Sequence, residues 1–139
     1  MPDIRTSLNS PLRIDAVGIA DSRAQIGMTI CPGKRGDSQY GIAWGRDLAA
    51  DINAIRAWHA TALLTAMEPE EMGALGVTDI GTVVTSAGMQ WLHVPIVDGA
   101  IADSRFDDAW SRVTPIVLQE LRNSHDINVT RSMFLNTSP

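Results

Sequence analysis

The sequence is short of cysteine, of cations and of long hydrophobic runs. Cys31 is the only cysteine in 139 residues. A lone thiol cannot close an internal disulfide or supply a cysteine-rich zinc site. Lys and Arg total 11 against 16 Asp and Glu, a formal net charge of −5. That balance argues against a nucleic-acid partner, whose recognition needs clustered cations. No apolar stretch approaches the roughly 18–20 residues that cross a bilayer. The first 25 residues carry Asp3, Arg5, Arg13, Asp15, Asp21 and Arg23, so they contain no apolar signal-peptide core. The expectation is a cytoplasmic chain without nucleic-acid or membrane partners. The three histidines, His59, His93 and His125, lack metal-ligand spacing, and neither metal nor cofactor is expected.

What is present is ordinary globular material. Apolar residues make up 45% of the chain and charged residues 19%, which excludes wholesale disorder and is compatible with a single core. Residues 1–25, interrupted by Pro2, Ser7, Asn9, Ser10 and Pro11, read as an N-terminal arm. Ile26 to Cys31 reads as a strand, followed by a Pro- and Gly-punctuated loop over 32–37 that extends to Gly45. Asp47 to His59 carries Leu48, Ile52, Ile55 and Trp58 at helical spacing, with Asp47 as cap and Arg46, Asp51, Asn53 and Arg56 assigned to the opposite face. Thr61 to Ala66 reads as a buried strand. Pro69 opens a short helix. Thr78 to Ala87 reads as a helix capped by Thr78 or Asp79 and stopped by Gly88.

Met89 to Val94 is a further strand, with a loop at 95–99. Asp103 to Leu121 is the longest helix, and Pro115 predicts a kink or a fresh start within it. Trp44, Trp58, Trp91 and Trp110 are assigned to core or domain-edge packing, Trp58 and Trp110 because they sit on apolar helical stripes. The last 18 residues, 122–139, are rich in Asn, Ser and Thr and read as a polar tail, with 127–130 as the one stretch able to form a short strand. Strands separated by helices predict an α/β fold, a mainly parallel sheet flanked by helices, whose ligands bind at the carboxyl ends of the strands. That rule singles out residues 32–37, 67–72 and 95–99.

Four segments carry a resemblance to a known family: I-G-M-T-I-C-P-G-K-R at 26–35, R-D-L-A-A-D-I-N-A-I-R-A-W at 46–58, A-L-L-T-A-M-E-P-E-E-M at 62–72 and W-L-H-V-P-I-V-D-G at 91–99. They resemble the cyclin-dependent kinase inhibitor 3 (kinase-associated phosphatase) branch of the dual-specificity and protein tyrosine phosphatases. The P-I-x-D-G element is the most specific of them. The likeness covers residues 26–121, roughly the amino-terminal two-thirds of such a domain. It implies phosphomonoester hydrolysis by a Cys thiolate in a His-Cys-x5-Arg turn, whose backbone N–H groups and Arg hold the phosphate while a loop Asp protonates the leaving oxygen. Asp98 matches the general acid. Glu71 matches the acidic position after the second strand. Lys34 and Arg35 lie in the loop near the active edge, where they would contact substrate.

The departure from the family is the signature itself. Where it should stand the chain reads R-N-S-H-D-I-N-V-T-R-S-M-F at 122–134, with Asp126 after His125. Cys31 cannot substitute, because the sixth residue after it is Asp37 and not Arg; a small buried residue is the plainer reading. Lys34 and Arg35 could equally form a solvated basic turn, Asp98-Gly99 a simple turn, and Glu70 and Glu71 exposed acids complementing a helix dipole.

Three expectations follow. The domain, read as 26–121 and incomplete at its carboxyl end, is a phosphatase-family member without hydrolytic activity in this chain. Its implied partner is a phosphoprotein or a phosphorylated small molecule. Loss of the central strand would bare apolar sheet surface and drive a homo-oligomer or strand-exchanged dimer. The alternative function is a non-catalytic pseudophosphatase that binds a protein partner.

Overall fold

The computed structural model describes residues 4–19, 23–37, 43–95 and 104–131. Among them the chain order is β1 (Ile4–Arg5), β2 (Asp15–Gly18), β3 (Gln25–Thr29), β4 (Arg35–Asp37), β5 (Ala43–Gly45), α1 (Leu48–Ala57), β6 (Ala60–Ala66), α2 (Pro69–Ala74), α3 (Ile80–Ser86), β7 (Gln90–His93), α4 (Ser104–Arg122) and β8 (Asp126–Arg131). The main sheet runs β2-β3-β8-β6-β7. Its last four strands are mutually parallel, and β2 is antiparallel to β3 at one edge. The expected mainly parallel α/β sheet is therefore present.

Side chains alternate across β6, and that alternation builds both cores. Leu63 packs on one face with Ile52 and Ile55 of α1 and Ile80 and Val84 of α3. Ala62 and Leu64 pack on the other with Ala109 and Val113 of α4, Leu92 of β7 and Ile127 of β8. Helices thus cover both faces. The Asp47 carboxylate caps α1 by accepting from the Ala50 N–H at 2.9 Å. Pro69 opens α2, where its missing N–H costs nothing. Gly88, at φ +84°, follows α3 in a conformation that stops a helix without a Cβ penalty. No helix among the described residues is long and apolar enough to cross a membrane.

The structure departs from the sequence expectations in five places. First, residues 126–131 are not a tail: β8 lies between β3 and β6, at the centre of the sheet, pairing Ile26 with Ile127 and Leu64 with Val129. The premise of the oligomer expectation, an emptied centre, is thereby removed. Second, the arm contributes β2 to the main sheet and β1 to a small second one. Third, the presumed loop between Pro32 and Gly45 contains β4 and β5, paired antiparallel, and β5 pairs in parallel with β1; the R-G-D run of β4 has no alternating apolar pattern to announce it.

Fourth, of the kink or fresh start expected at Pro115 the fresh start is absent: Pro115 sits on the exposed side within one helix, and the Oγ1 of the preceding Thr114 donates to the Trp110 carbonyl, one turn back, at 2.5 Å. Of core and domain edge, Trp110 takes the edge, 42% exposed, because the part of α4 that meets the sheet is the Ala109–Val113 side. Fifth, Asp79 makes no side-chain cap bond to α3.

Candidate functional site

The carboxyl ends of β3, β6, β7 and β8 share one edge of the sheet. Each parallel strand delivers a short segment to that edge: Cys31–Arg35 after β3, Met67–Glu71 after β6 and Val94–Pro95 after β7. Strand β8 ends between the first two. This is the edge at which open parallel sheets bind ligands.

The segment after β3 is held by a buried ion pair that the sequence reading had placed on the solvent face of α1. The Arg46 guanidinium donates from Nε to Asp51 Oδ2 at 2.8 Å and from Nη2 to Oδ1 at 3.1 Å, with both side chains 2% exposed. The Gly33 N–H donates to Asp51 Oδ2 at 2.9 Å. The Arg46 N–H donates to the Lys34 carbonyl at 3.1 Å. The same pair ties down the arm, since Arg46 Nη1 donates to the Ser10 carbonyl and Ser7 Oγ donates to Asp51 Oδ1. Gly33 is required twice over: its φ is +71°, and a Cβ there would lie 2.6 Å from Leu48 Cβ. The signal for Asp51 was in the sequence. Leu48, Asp51, Ile52 and Ile55 follow the i, i+3, i+4, i+7 spacing of one helical stripe, so Asp51 belongs to the buried face by period despite its charge.

Lys34 follows directly and is only 4% exposed. It is therefore no solvated turn residue. Burial lowers its amine to a pKa of about 8, against opposing influences from nearby Cys31 and Glu71. Cys31 is fully buried, and burial pushes its thiol up to about 12, with Lys34 pulling it down and Glu71 and Asp51 adding to the rise. A thiol of that kind stays protonated at neutral pH and is no nucleophile. Glu71 stands in the first turn of α2, close enough to act on both groups.

The structure thus brings Lys34, Glu71 and Cys31 together. Arg35 is turned outward. Its N–H donates to the Leu75 carbonyl at 3.0 Å, and its stem lies across Gly76. On the β7 side, His93 Nε2 donates to the Met67 carbonyl at 2.7 Å, and the imidazole stacks on Trp91 with centroids 5.2 Å apart. That bond fixes the turn leading to Glu68 and Glu71. Asp98, the candidate general acid, lies outside the described residues. Among the described residues no group of three or more His, Cys, Asp or Glu side chains is placed to hold a metal ion.

No protein-family model matches the sequence, and no curated protein matches it. The fold is similar to that in the crystal structure of kinase associated phosphatase with its catalytic-site cysteine substituted by serine, at a TM-score of 0.73 and 14% identity, covering 88% of this chain and 66% of that one. The chain accordingly spans about two thirds of that protein's length. At this identity the likeness establishes the fold: a phosphatase-like α/β sheet with flanking helices.

Proposed function

We propose that the chain is a dual-specificity or protein tyrosine phosphatase family member and that the carboxyl edge of its sheet is a phosphomonoester site, silent in this chain because the nucleophile and the phosphate-gripping Arg are missing. One observation carries the reading. The central strand β8 ends between the Cys31–Arg35 and Met67–Glu71 segments, which is where a strand must end to present a phosphate-binding turn to groups from both sides. In the reaction implied by the resemblance, a thiolate attacks phosphorus, the ester oxygen leaves, and Asp98 supplies the proton that oxygen takes up. Lys34 and Arg35 add positive charge on one flank. Glu71 sets the electrostatics of Lys34 from the other. The substrate would be a phosphorylated protein side chain or a small phosphomonoester.

The test has two arms. The chain as it stands should hydrolyse aryl phosphate no faster than buffer; turnover that disappears in Asp98→Ala would overturn the claim of silence. Since β8 is already formed in the present frame, translating the encoding DNA in all three frames from the Arg131 codon should reveal His-Cys-x5-Arg. The protein restored in that frame should hydrolyse aryl phosphate, and Asp98→Ala should then lower kcat by about 10²–10⁴. If no frame contains the signature, the phosphatase reading gives way to that of a non-catalytic partner-binding module.

A further inference from the structure

The Cys31–Arg35 segment is braced at both ends, and each brace leads to the N-terminal arm. At one end the Gly33 N–H is held by Asp51 Oδ2, while Asp51 Oδ1 accepts from the Ser7 hydroxyl at 2.9 Å. At the other end Arg35 enters β4, which pairs with β5, which pairs in turn with β1 of the arm. Lys34 stands between the two anchors. The segment carries the only thiol of the chain, Cys31, and its only lysine, Lys34. Both are withdrawn from water, at 0% and 4% exposure.

Residues 4–10 hold their own shape. The Thr6 N–H donates to Asn9 Oδ1 at 2.8 Å, the Asn9 N–H donates to Thr6 Oγ1 at 3.1 Å, and Asn9 Nδ2 donates to the Ile4 carbonyl at 2.8 Å. Apolar burial does little to fix this loop to the domain. None of its residues is buried, and Leu8 is 91% exposed. The apolar hold begins only at Leu12 and Ile14, which pack against the α1-side core. The Ser7 hydroxyl is the meeting point of the polar hold: besides donating to Asp51, it accepts from the Asp47 N–H at 2.8 Å. A loop fixed by a few polar bonds beside water opens at much lower cost than a packed sheet.

We propose that residues 4–10 are a strap latched by Ser7 onto Asp51, and that unlatching it loosens the Cys31–Arg35 segment and opens Cys31 and Lys34 to water. The order of the sheet's carboxyl edge is then set from outside that edge, through one carboxylate shared by the arm and the Gly33 N–H. The inference does not rest on the phosphatase reading, since it concerns the order of the edge and not its chemistry.

Labelling of the single thiol of the full chain by an aromatic disulfide, together with amide hydrogen exchange followed by NMR, tests it. Ser7→Ala should speed both the labelling of Cys31 and the exchange of the Gly33 N–H by about tenfold or more, with no dependence on urea below the unfolding transition, the mark of local opening. Asn9→Ala, which dismantles the loop without touching Asp51, should act in the same direction. Ser7→Thr, which keeps the hydroxyl, should stay closer to the native chain than Ser7→Ala. The Leu63 and Leu64 amides of β6 should exchange within about twofold of their native rates in all three variants. Labelling and Gly33 exchange left unchanged by Ser7→Ala would overturn the latch. Acceleration shared equally by the β6 amides, or labelling that rises with urea as global unfolding does, would overturn the strap by showing that the arm supports the whole fold.

Discussion

Strands β6 and β8 are neighbours in the interior of the sheet, yet they are built from opposite materials. Strand β6 is A-T-A-L-L-T-A, whose Ala62, Leu63 and Leu64 feed both apolar cores. Strand β8 is D-I-N-V-T-R, and on the α1 side of the sheet it buries Asn128 and Thr130 completely. The register sets Thr29, Thr130, Thr65 and His93 in one row across four strands. Part of that polar row is satisfied: Asn128 Nδ2 donates to Thr29 Oγ1 at 3.0 Å, and Trp91 Nε1 donates to Thr65 Oγ1 at 3.0 Å. Among the described residues Asn128 Oδ1 and Thr130 Oγ1 have no hydrogen-bond partner. Gly27 of β3 makes room for the Asn128 amide, since a Cβ there would stand 2.7 Å from Asn128 Oδ1. The molecule therefore has two kinds of interior. One is apolar and tolerant of detail. The other, comprising Asn128, Thr130, Lys34 and the Arg46–Asp51 pair, is polar and depends on partners being in place.

That contrast can be broken most forcefully at Asp51. Asp51→Ala strands the buried Arg46 guanidinium and frees the Gly33 N–H, and should cost about 3–5 kcal/mol of unfolding free energy in urea titrations. A loss under about 1 kcal/mol would show that the pair is not a structural hub. The two strands are then compared directly. Leu63→Ala should cost about 2–5 kcal/mol through lost burial and the cavity it leaves. Asn128→Val should cost no more than about 1 kcal/mol, since the orphaned acceptor it removes offsets the lost bond to Thr29 Oγ1. Equal losses from both would mean that the β8 amide is fully bonded in solution.

The smallest effect expected is in pH dependence. The folded Lys34 amine, at about 8, releases its proton below the unfolded value of 10.5. Between those values the unfolded chain binds more protons, so stability should rise with pH from about 8. Cys31 acts the other way: its folded value of about 12 exceeds the unfolded 9.0, so stability should fall above pH 9. The urea midpoint of the native chain should therefore climb between pH 8 and 9, that of Lys34→Met should stay level there, and Cys31→Ala should remove the decline above pH 9. Parallel profiles for the native chain and Lys34→Met would place the amine in water.

Legibility in the sequence followed the same division. The helix read over 47–59, which runs Leu48–Ala57, its Asp47 cap, Pro69 at the start of α2, the stop at Gly88 and the strand read over 61–66, which runs Ala60–Ala66, all rest on short-range rules, and all stand in the structure. Residues 127–130 were legible as a possible short strand within a tail, but their place at the centre of the sheet was not, because an inward Asn and Thr erase the apolar alternation of a buried strand. Asp51 escaped because its charge outweighed its period. Trp110 was left between core and domain edge because an aromatic on an apolar stripe does not reveal how much of that stripe the sheet covers. Lys34 and Glu71 were reached through a resemblance, and composition would have left both as surface charges.

The sequence by itself determined the local elements and the α/β class, because capping, turn chemistry and helical period act over a few residues. It also determined that no His-Cys-x5-Arg follows the last helix. Only the tertiary structure decided that a polar segment from far along the chain would slot between β3 and β6, that Arg46 and Asp51 would be buried facing each other, and that Lys34 would be drawn out of water beside a thiol. Those outcomes depend on which surfaces meet, and a buried polar group is stable only when its partner, brought from elsewhere in the chain, is already there.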